Sequence, residues 1–317
     1  MRIKPAILCI AGLALMASSF AQSRRFSKDW EREVLPFGSG NWISLCVDRN
    51  GAVQVISLSG YWVTLSPSGS VLTESSDLDA VGGATSVACA SDGSVVIGNH
   101  RSQQLHIFSG DHKLLSSLTA TQGFATLVAA TPTSVIALGT KKGTLFRHMT
   151  LNRASGQAEF AFDGGPLPDQ LASGISGMPG DATFDAKQDQ LLFVTRNPEH
   201  VLVYSRNGEL LRFKTIAGAV RPNAPQQDIF TFTGPYDQAA GIFPIANGYV
   251  VTVSRQDRSP HAISGRLSYQ FLDKDLNVTG YDESPQGIGT IVASDGNGTV
   301  YGIAGGENFR VLKGHLE

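Results

Sequence analysis

Short apolar runs in groups of four, divided by turn residues, recur along this chain and restrict its fold more than any other feature. One unit reads Ser86-Val-Ala-Cys-Ala-Ser-Asp-Gly93, Ser94-Val-Val-Ile-Gly98, Gln104-Leu-His-Ile-Phe108 and Lys113-Leu-Leu-Ser-Ser-Leu118. Another repeats the plan with Ala182-Thr-Phe-Asp185, Gln190-Leu-Leu-Phe-Val194, Val201-Leu-Val-Tyr204 and Glu209-Leu-Leu-Arg-Phe213. Further units begin at Ile43, Leu127 and Gly241, and the last, from Thr290, lacks a fourth run. The period is roughly 40–60 residues, the range of propeller blades with their loops. A single four-stranded sheet cannot bury both of its faces. Packing such sheets face to face around an axis does so, and closing the ring protects their edges. The expectation is an all-β, six-bladed propeller. Its incomplete last blade takes its outer strand from Trp30-Glu-Arg-Glu-Val-Leu-Pro-Phe37, so that two free edges become one ladder.

Composition agrees with this plan. Charged residues are only 16% of the chain, while Gly contributes 35 residues and Pro 14. Few charges and abundant turn formers favour strands joined by tight turns. No stretch carries a sustained helical period.

The N-terminus reads as a secretory signal. Arg2 and Lys4 precede an apolar run from Ala6 to Met16, and small residues at Ser19 and Ala21 stand at the spacing for cleavage. The run is too short to span a bilayer. Cys9 lies inside it, poorly placed for lipidation. The expected division is therefore a signal peptide at 1–21 and a propeller at 22–317, with a periplasmic or secreted product and no membrane span. Net charge is −2, and losing Arg2 and Lys4 with the leader makes it −4. That balance gives neither the clustered cations that nucleic acid requires nor a polybasic membrane patch.

The run Asp92 to Leu115, with Asn99-His100-Arg101 followed by Leu105, Ile107 and Phe108, resembles an NHL repeat. Gln190 to Leu211 is a looser match, with Arg196-Asn197 where Asn-His-Arg belongs. The resemblance implies a six-bladed propeller whose site lies on the face formed by the second-to-third-strand loops and the links between blades. It implies no single activity, because propellers of this type include enzymes, interaction modules and structural parts. It also implies a structural role for His100 and Arg101.

On that face the sequence gathers Arg196 and His200 from one loop, Arg255, Arg258 and His261 from another, and Asp181 and Asp237 from the links. The links 163–180 and 218–241 are long enough to be functional or to act as lids. A cationic rim crossed by carboxylates suits a small anionic ligand or a peptide, since the arginine fork donates two parallel hydrogen bonds to a carboxylate or phosphate. The first expectation is thus an exported ligand- or protein-binding or scaffold module without a cofactor. The alternative comes from Gly180 to Val194, which is similar to a blade of gluconolactonase-like propellers. That likeness implies a hydrolase or lyase using a divalent cation, as does the likeness to NHL-type lyases. No two Cys or His residues stand at metal-ligand spacing, and no catalytic residue or metal ligand is assigned.

Cys46 and Cys89 occupy matching places on the innermost strands of neighbouring blades. Export permits a disulfide between them. Inner strands of propellers usually stand farther apart than a disulfide spans, so two buried free thiols are the expected state.

Overall fold

In the computed structural model, the described residues are 24–36, 43–75, 83–139, 143–172, 180–196, 199–216, 236–259, 262–282, 288–305 and 308–317. The signal peptide expected at 1–21 lies outside them.

The described residues are all-β apart from a four-residue helix, α1 (Asp169–Ala172). After β1 (Phe26–Pro36), the first meander comprises β2 (Ile43–Val47), β3 (Val53–Ser57), β4 (Trp62–Leu65) and β5 (Val71–Ser75). The second comprises β6 (Ser86–Cys89), β7 (Val95–Asn99), β8 (Gln104–Phe108) and β9 (Leu114–Ala120). The third comprises β10 (Phe124–Ala130), β11 (Ser134–Gly139), β12 (Thr144–Asn152) and β13 (Gln157–Pro166). The fourth comprises β14 (Gly180–Asp185), β15 (Gln190–Thr195), β16 (His200–Ser205) and β17 (Leu210–Thr215). The fifth comprises β18 (Tyr236–Ile245), β19 (Gly248–Ser259), β20 (Ala262–Leu272) and β21 (Val278–Asp282). The chain ends with β22 (Thr290–Ser294), β23 (Thr299–Ala304) and β24 (Asn308–Leu316).

Hydrogen bonding groups these strands into four four-stranded sheets and one of eight strands. The eight-stranded sheet is the second and third meanders, joined by a short parallel pairing of Gln157 with Thr119 and Ala158 with Ala120. β1 runs antiparallel to β24 from Phe26↔Leu316 to Pro36↔Asn308 and takes the outer place in the last sheet. The inner strands touch in the cyclic order β2, β6, β10, β14, β18, β22 and back to β2. The arrangement is that of a propeller.

Each seam between neighbours in this ring holds its own apolar cluster. Trp62, Val95, Ile97 and Phe108 fill the first-to-second seam. Phe146, Phe193 and Tyr204 fill the third-to-fourth, and Val203, Tyr249 and Leu272 the fourth-to-fifth. This distribution explains the reading of the strands. Middle strands such as β15 and β16 are buried on both faces and read as near-continuous apolar runs, whereas the outer β5 is mostly exposed.

Cys46 and Cys89 form a disulfide, their Cα atoms 5.7 Å apart. The free thiols expected from ordinary inner-strand spacing are therefore corrected. β2 and β6 converge closely enough for the Val87 N–H to donate to Ser44 Oγ at 3.2 Å.

Candidate functional site

The inner strands surround an axial cavity of about 960 Å³. Its wall takes residues from β2, β6, β10, β14, β18 and β22, and it extends to the first-to-second-strand turns at Asp48, Ser91 and Asp295. Small side chains dominate the inner strands because they converge on the axis. Ser44, Thr85, Thr126 and Thr183 supply hydroxyls, and the Cys46–Cys89 disulfide also lines the space.

Asp181 is the expected site residue that the structure sets in this wall. The placement depends on Gly180. A Cβ there would lie 2.2 Å from the Phe193 ring and 2.6 Å from the Val194 carbonyl oxygen, so only glycine lets β14 begin this close to β15. Asp181 Oδ1 accepts the Ala182 N–H at 3.0 Å. Burial pushes its carboxyl up to about 6, against the opposing pull of that hydrogen bond and of the Arg196 guanidinium. Arg196 is exposed just beyond β15, and its carbonyl oxygen accepts the Ala239 N–H at 3.0 Å, tying the fourth meander to β18.

His200 sits elsewhere. Its backbone N–H donates to Thr195 Oγ1 at 2.8 Å, and its Nδ1 lies 2.9 Å from Thr215 Oγ1 on the outer strand. Burial pushes its imidazole down. The ring is 5.8 Å from that of Phe213 and does not line the cavity.

Arg255 and Arg258, expected on a loop, lie on β19 instead. Asp237 of β18 is the register partner of Arg255, and Arg258 faces Ile263 of β20. Ser254 to Ser259 contains neither Gly nor Pro, and the ladder runs on to Ser259↔Ala262. The side chains of Asp237, Arg255 and Arg258, and the whole of His261, lie outside the described residues. The expected long link at 163–180 is shortened, since β13 continues to Pro166. Most of the link 218–241 lies outside the described residues, and β18 already begins at Tyr236.

Asn99-His100-Arg101 forms a turn. Asn99 Oδ1 accepts the Arg101 and Ser102 N–H groups at 3.0 and 3.1 Å, and Thr85 Oγ1 accepts that of His100 at 3.2 Å. Similar aspartate-capped turns lie at the opposite face, where the cavity reaches them. Asp48 accepts from Asn50 and Ala52, Asp185 from Lys187 and Gln188, and Asp295 from Asn297 and Thr299. Their carboxylates organise backbone. Lys187 Nζ donates to Asn297 Oδ1 at 3.0 Å, bridging two of these turns.

Sequence reading did not single out Glu199. Its side chain is only 1% exposed, and burial pushes its carboxyl up to about 8. With the Gln270 amide nitrogen facing it, that group donates to the two carboxyl oxygens at 2.6 and 3.2 Å. Nothing in Asn197-Pro198-Glu199 signals burial, because the covering side chain comes from the next meander. Among the described residues, no three of His, Cys, Asp and Glu converge as metal ligands, and no helix is long and apolar enough to cross a membrane.

Fold and cavity together define a β-propeller with an axial polar channel. No family model matches the chain, and no curated protein does. Solved structures resemble it in fold. A member of the DUF4221 family from Bacteroides vulgatus superposes with a TM-score of 0.61 at 9% identity, covering 93% of this chain and 98% of its own. Virginiamycin B lyase from Staphylococcus aureus gives 0.52 at 11%, covering 91% and 99%. The β-propeller domain of Cps50 (Swd1) from Myceliophteria thermophila gives 0.50 at 10%, covering 90% and 99%. At such identities the likeness extends to the fold alone.

Proposed function

We propose that this chain is an exported, NHL-like, six-bladed propeller, counting the eight-stranded sheet as two blades. It acts as a binding or scaffold module that takes a small anionic ligand or a peptide at the mouth of its axial channel. The observation that carries this reading is the axial cavity, with hydroxyls and the Asp181 carboxyl in its wall and the Arg196 guanidinium close enough to Asp181 to pull on its carboxyl. Arg255 and Arg258, on the long β19–β20 hairpin, supply further cations for an anionic group. Protonated Asp181 donates a hydrogen bond to a ligand carboxylate, and ionised Asp181 accepts one from an amide. Export rests on the N-terminal pattern, and the Cys46–Cys89 disulfide supports it, since such bonds persist in oxidising compartments.

The test is native mass spectrometry of the mature protein, followed by thermal shift against small carboxylates, phosphates and peptides. A ligand that raises Tm in the parent and fails to do so in Asp181→Asn and Arg196→Ala variants supports the reading. Ligands that stabilise parent and variants equally would refute it.

A second reading, a hydrolase or lyase on the same face using a divalent cation, is favoured by the Asp181 carboxyl being poised near neutrality, as a general acid or base requires. Metal analysis of the purified protein separates the two. A stoichiometric ion favours the enzyme, and a metal-free protein that still binds its ligand favours the module.

A further inference from the structure

The Cys46–Cys89 disulfide stands at the channel end of the seam between the first and second meanders. Both cysteines are half-buried and line the axial cavity. The seam is also tied without them. Trp62 meets Phe108 edge-on at 5.1 Å, and the Val87 N–H reaches Ser44 Oγ. His112 of the second meander bonds Thr64 and Ser75 of the first at 2.7 and 2.9 Å. The covalent bond thus lies on the solvent side of an apolar and hydrogen-bonded contact that holds the same two units together. A cavity of about 960 Å³ walled by inner strands admits a small molecule and excludes a folded domain.

We propose that Cys46–Cys89 is a thiol–disulfide exchange site, reached through the channel by low-molecular-weight thiols and closed to protein thiols. A thiolate RS⁻ attacks one cysteine sulfur. A mixed disulfide forms there as the Cys46–Cys89 bond breaks, and the other cysteine leaves as a thiolate that takes a proton from water. A second RS⁻ attacks the mixed disulfide, releasing RSSR and the remaining cysteine thiolate. Two small thiols are oxidised, and the protein disulfide is reduced by two electrons. A small disulfide RSSR drives the reverse sequence.

The experiment treats the folded, full mature chain with reduced glutathione. In parallel it uses a thioredoxin-type oxidoreductase supplied with its reductase and NADPH. Products are trapped with iodoacetamide and read by intact mass, while near-ultraviolet circular dichroism follows the fold. Expected are a glutathione adduct and then doubly alkylated protein with glutathione, an intact disulfide with the oxidoreductase, and an unchanged dichroism spectrum. Cys46→Ser/Cys89→Ser is expected to fold and to give no adduct. Labelling that requires denaturant would overturn the proposal, as would equal reduction by the oxidoreductase. Loss of the near-ultraviolet signal on reduction would overturn it too, showing that the disulfide itself holds the seam. If the double variant does not fold, the reduced parent still decides.

Discussion

His112 lies flat against Trp62, with ring centroids 3.8 Å apart and planes 19° from parallel. Both belong to one polar network buried at a seam. Trp62 Nε1 and Thr64 Oγ1 donate to Gln54 Oε1 at 2.9 and 2.7 Å. With its one proton committed there, Thr64 accepts from His112 Nε2, which fixes the Nε2–H tautomer and leaves Nδ1 to accept from Ser75. Removing the imidazole takes the Ser75 hydroxyl's acceptor and the donor to Thr64 away together, and forfeits the stack. His112→Ala is expected to lower unfolding free energy by about 2–4 kcal/mol in urea titrations. A loss within experimental scatter would show that the network contributes nothing net.

The same histidine makes stability depend on pH. Burial pushes His112 down to about 4. It does the same to His148, which stacks on Phe162 at 4.1 Å and whose Nε2 has no hydrogen-bond partner among the described residues. Arg206 lowers His148 further, and Asp163 opposes. A folded-state value below the unfolded 6.5 means that the unfolded chain binds more protons between the two. Stability is then complete above about 6.5 and falls as pH drops toward about 4, by roughly 3 kcal/mol for each group. His148→Phe, which keeps a stacked ring, is expected to remove its part of the acid slope. Parallel pH profiles for parent and variant would contradict this.

Much of the fold was legible because sheets buried on both faces leave a plain trace. Gln190-Leu-Leu-Phe-Val194 and Val201-Leu-Val-Tyr204 read as strands and are strands, and the segment from Trp30 does join the last sheet, as part of β1. The site was less legible because it depends on where neighbouring units meet. Arg255 to Ser259 reads as a polar loop, yet it continues β19, since backbone pairing with β20 overrides weak strand composition. His200 reads as rim and instead bonds Thr215, because it is already a strand residue of β16 in register with Thr215 of β17. The Cys46–Cys89 bond hinges on a local approach of two inner strands that no spacing encodes.

Glu199 works against His112 and His148 in the pH profile. Its value is raised to about 8 by burial, so the folded chain holds a proton that the unfolded chain releases above 4.5. Its contribution is complete below about 4.5 and is lost as pH rises through about 8. Donation from the Gln270 amide to the ionised carboxyl reduces that loss. Glu199→Gln carries no proton to lose, so the variant is expected to keep its urea midpoint from neutral to mildly alkaline pH while the parent declines. Equal declines would show that Glu199 is ionised in the folded protein throughout.

Arg147 and Asp163 form a buried ion pair, with side chains 4% and 6% exposed. Nε donates to Oδ1 at 3.0 Å and Nη2 to Oδ2 at 3.4 Å, while Nη1 donates to the Gly123 carbonyl. Asp163→Ala leaves a buried guanidinium without its counter-charge and is expected to cost about 3–5 kcal/mol. Arg147→Met together with Asp163→Leu removes both charges and should recover most of that loss. If the double variant is as unstable as the single one, the pair serves geometry beyond mutual neutralisation.

β1 closes the ring by touching three units at once. It pairs with β24 along its length. Trp30 Nε1 donates to the Pro67 carbonyl at 2.9 Å, and the indole lies over Gly69, where a Cβ would stand 2.8 Å from the ring. Gly69 also holds φ +85°, so this turn of the first meander both requires glycine and leaves room for the tryptophan. At the other end Phe26 packs 5.5 Å from Tyr269 and 5.8 Å from Phe271 of the fifth meander. Removing residues 24–36 therefore exposes the edge of β24 and opens apolar clusters on both sides of the last sheet. The truncated protein is expected to unfold at lower urea, over a broader transition, and to associate through β24. Gly69→Ala tests the same contact more gently, since it forces the indole away from the turn while leaving β1 in place. It should cost about 1–3 kcal/mol from backbone strain and lost packing. Truncated protein that melts as a monomer at the parent's temperature would mean that the ring closes without its N-terminal strand.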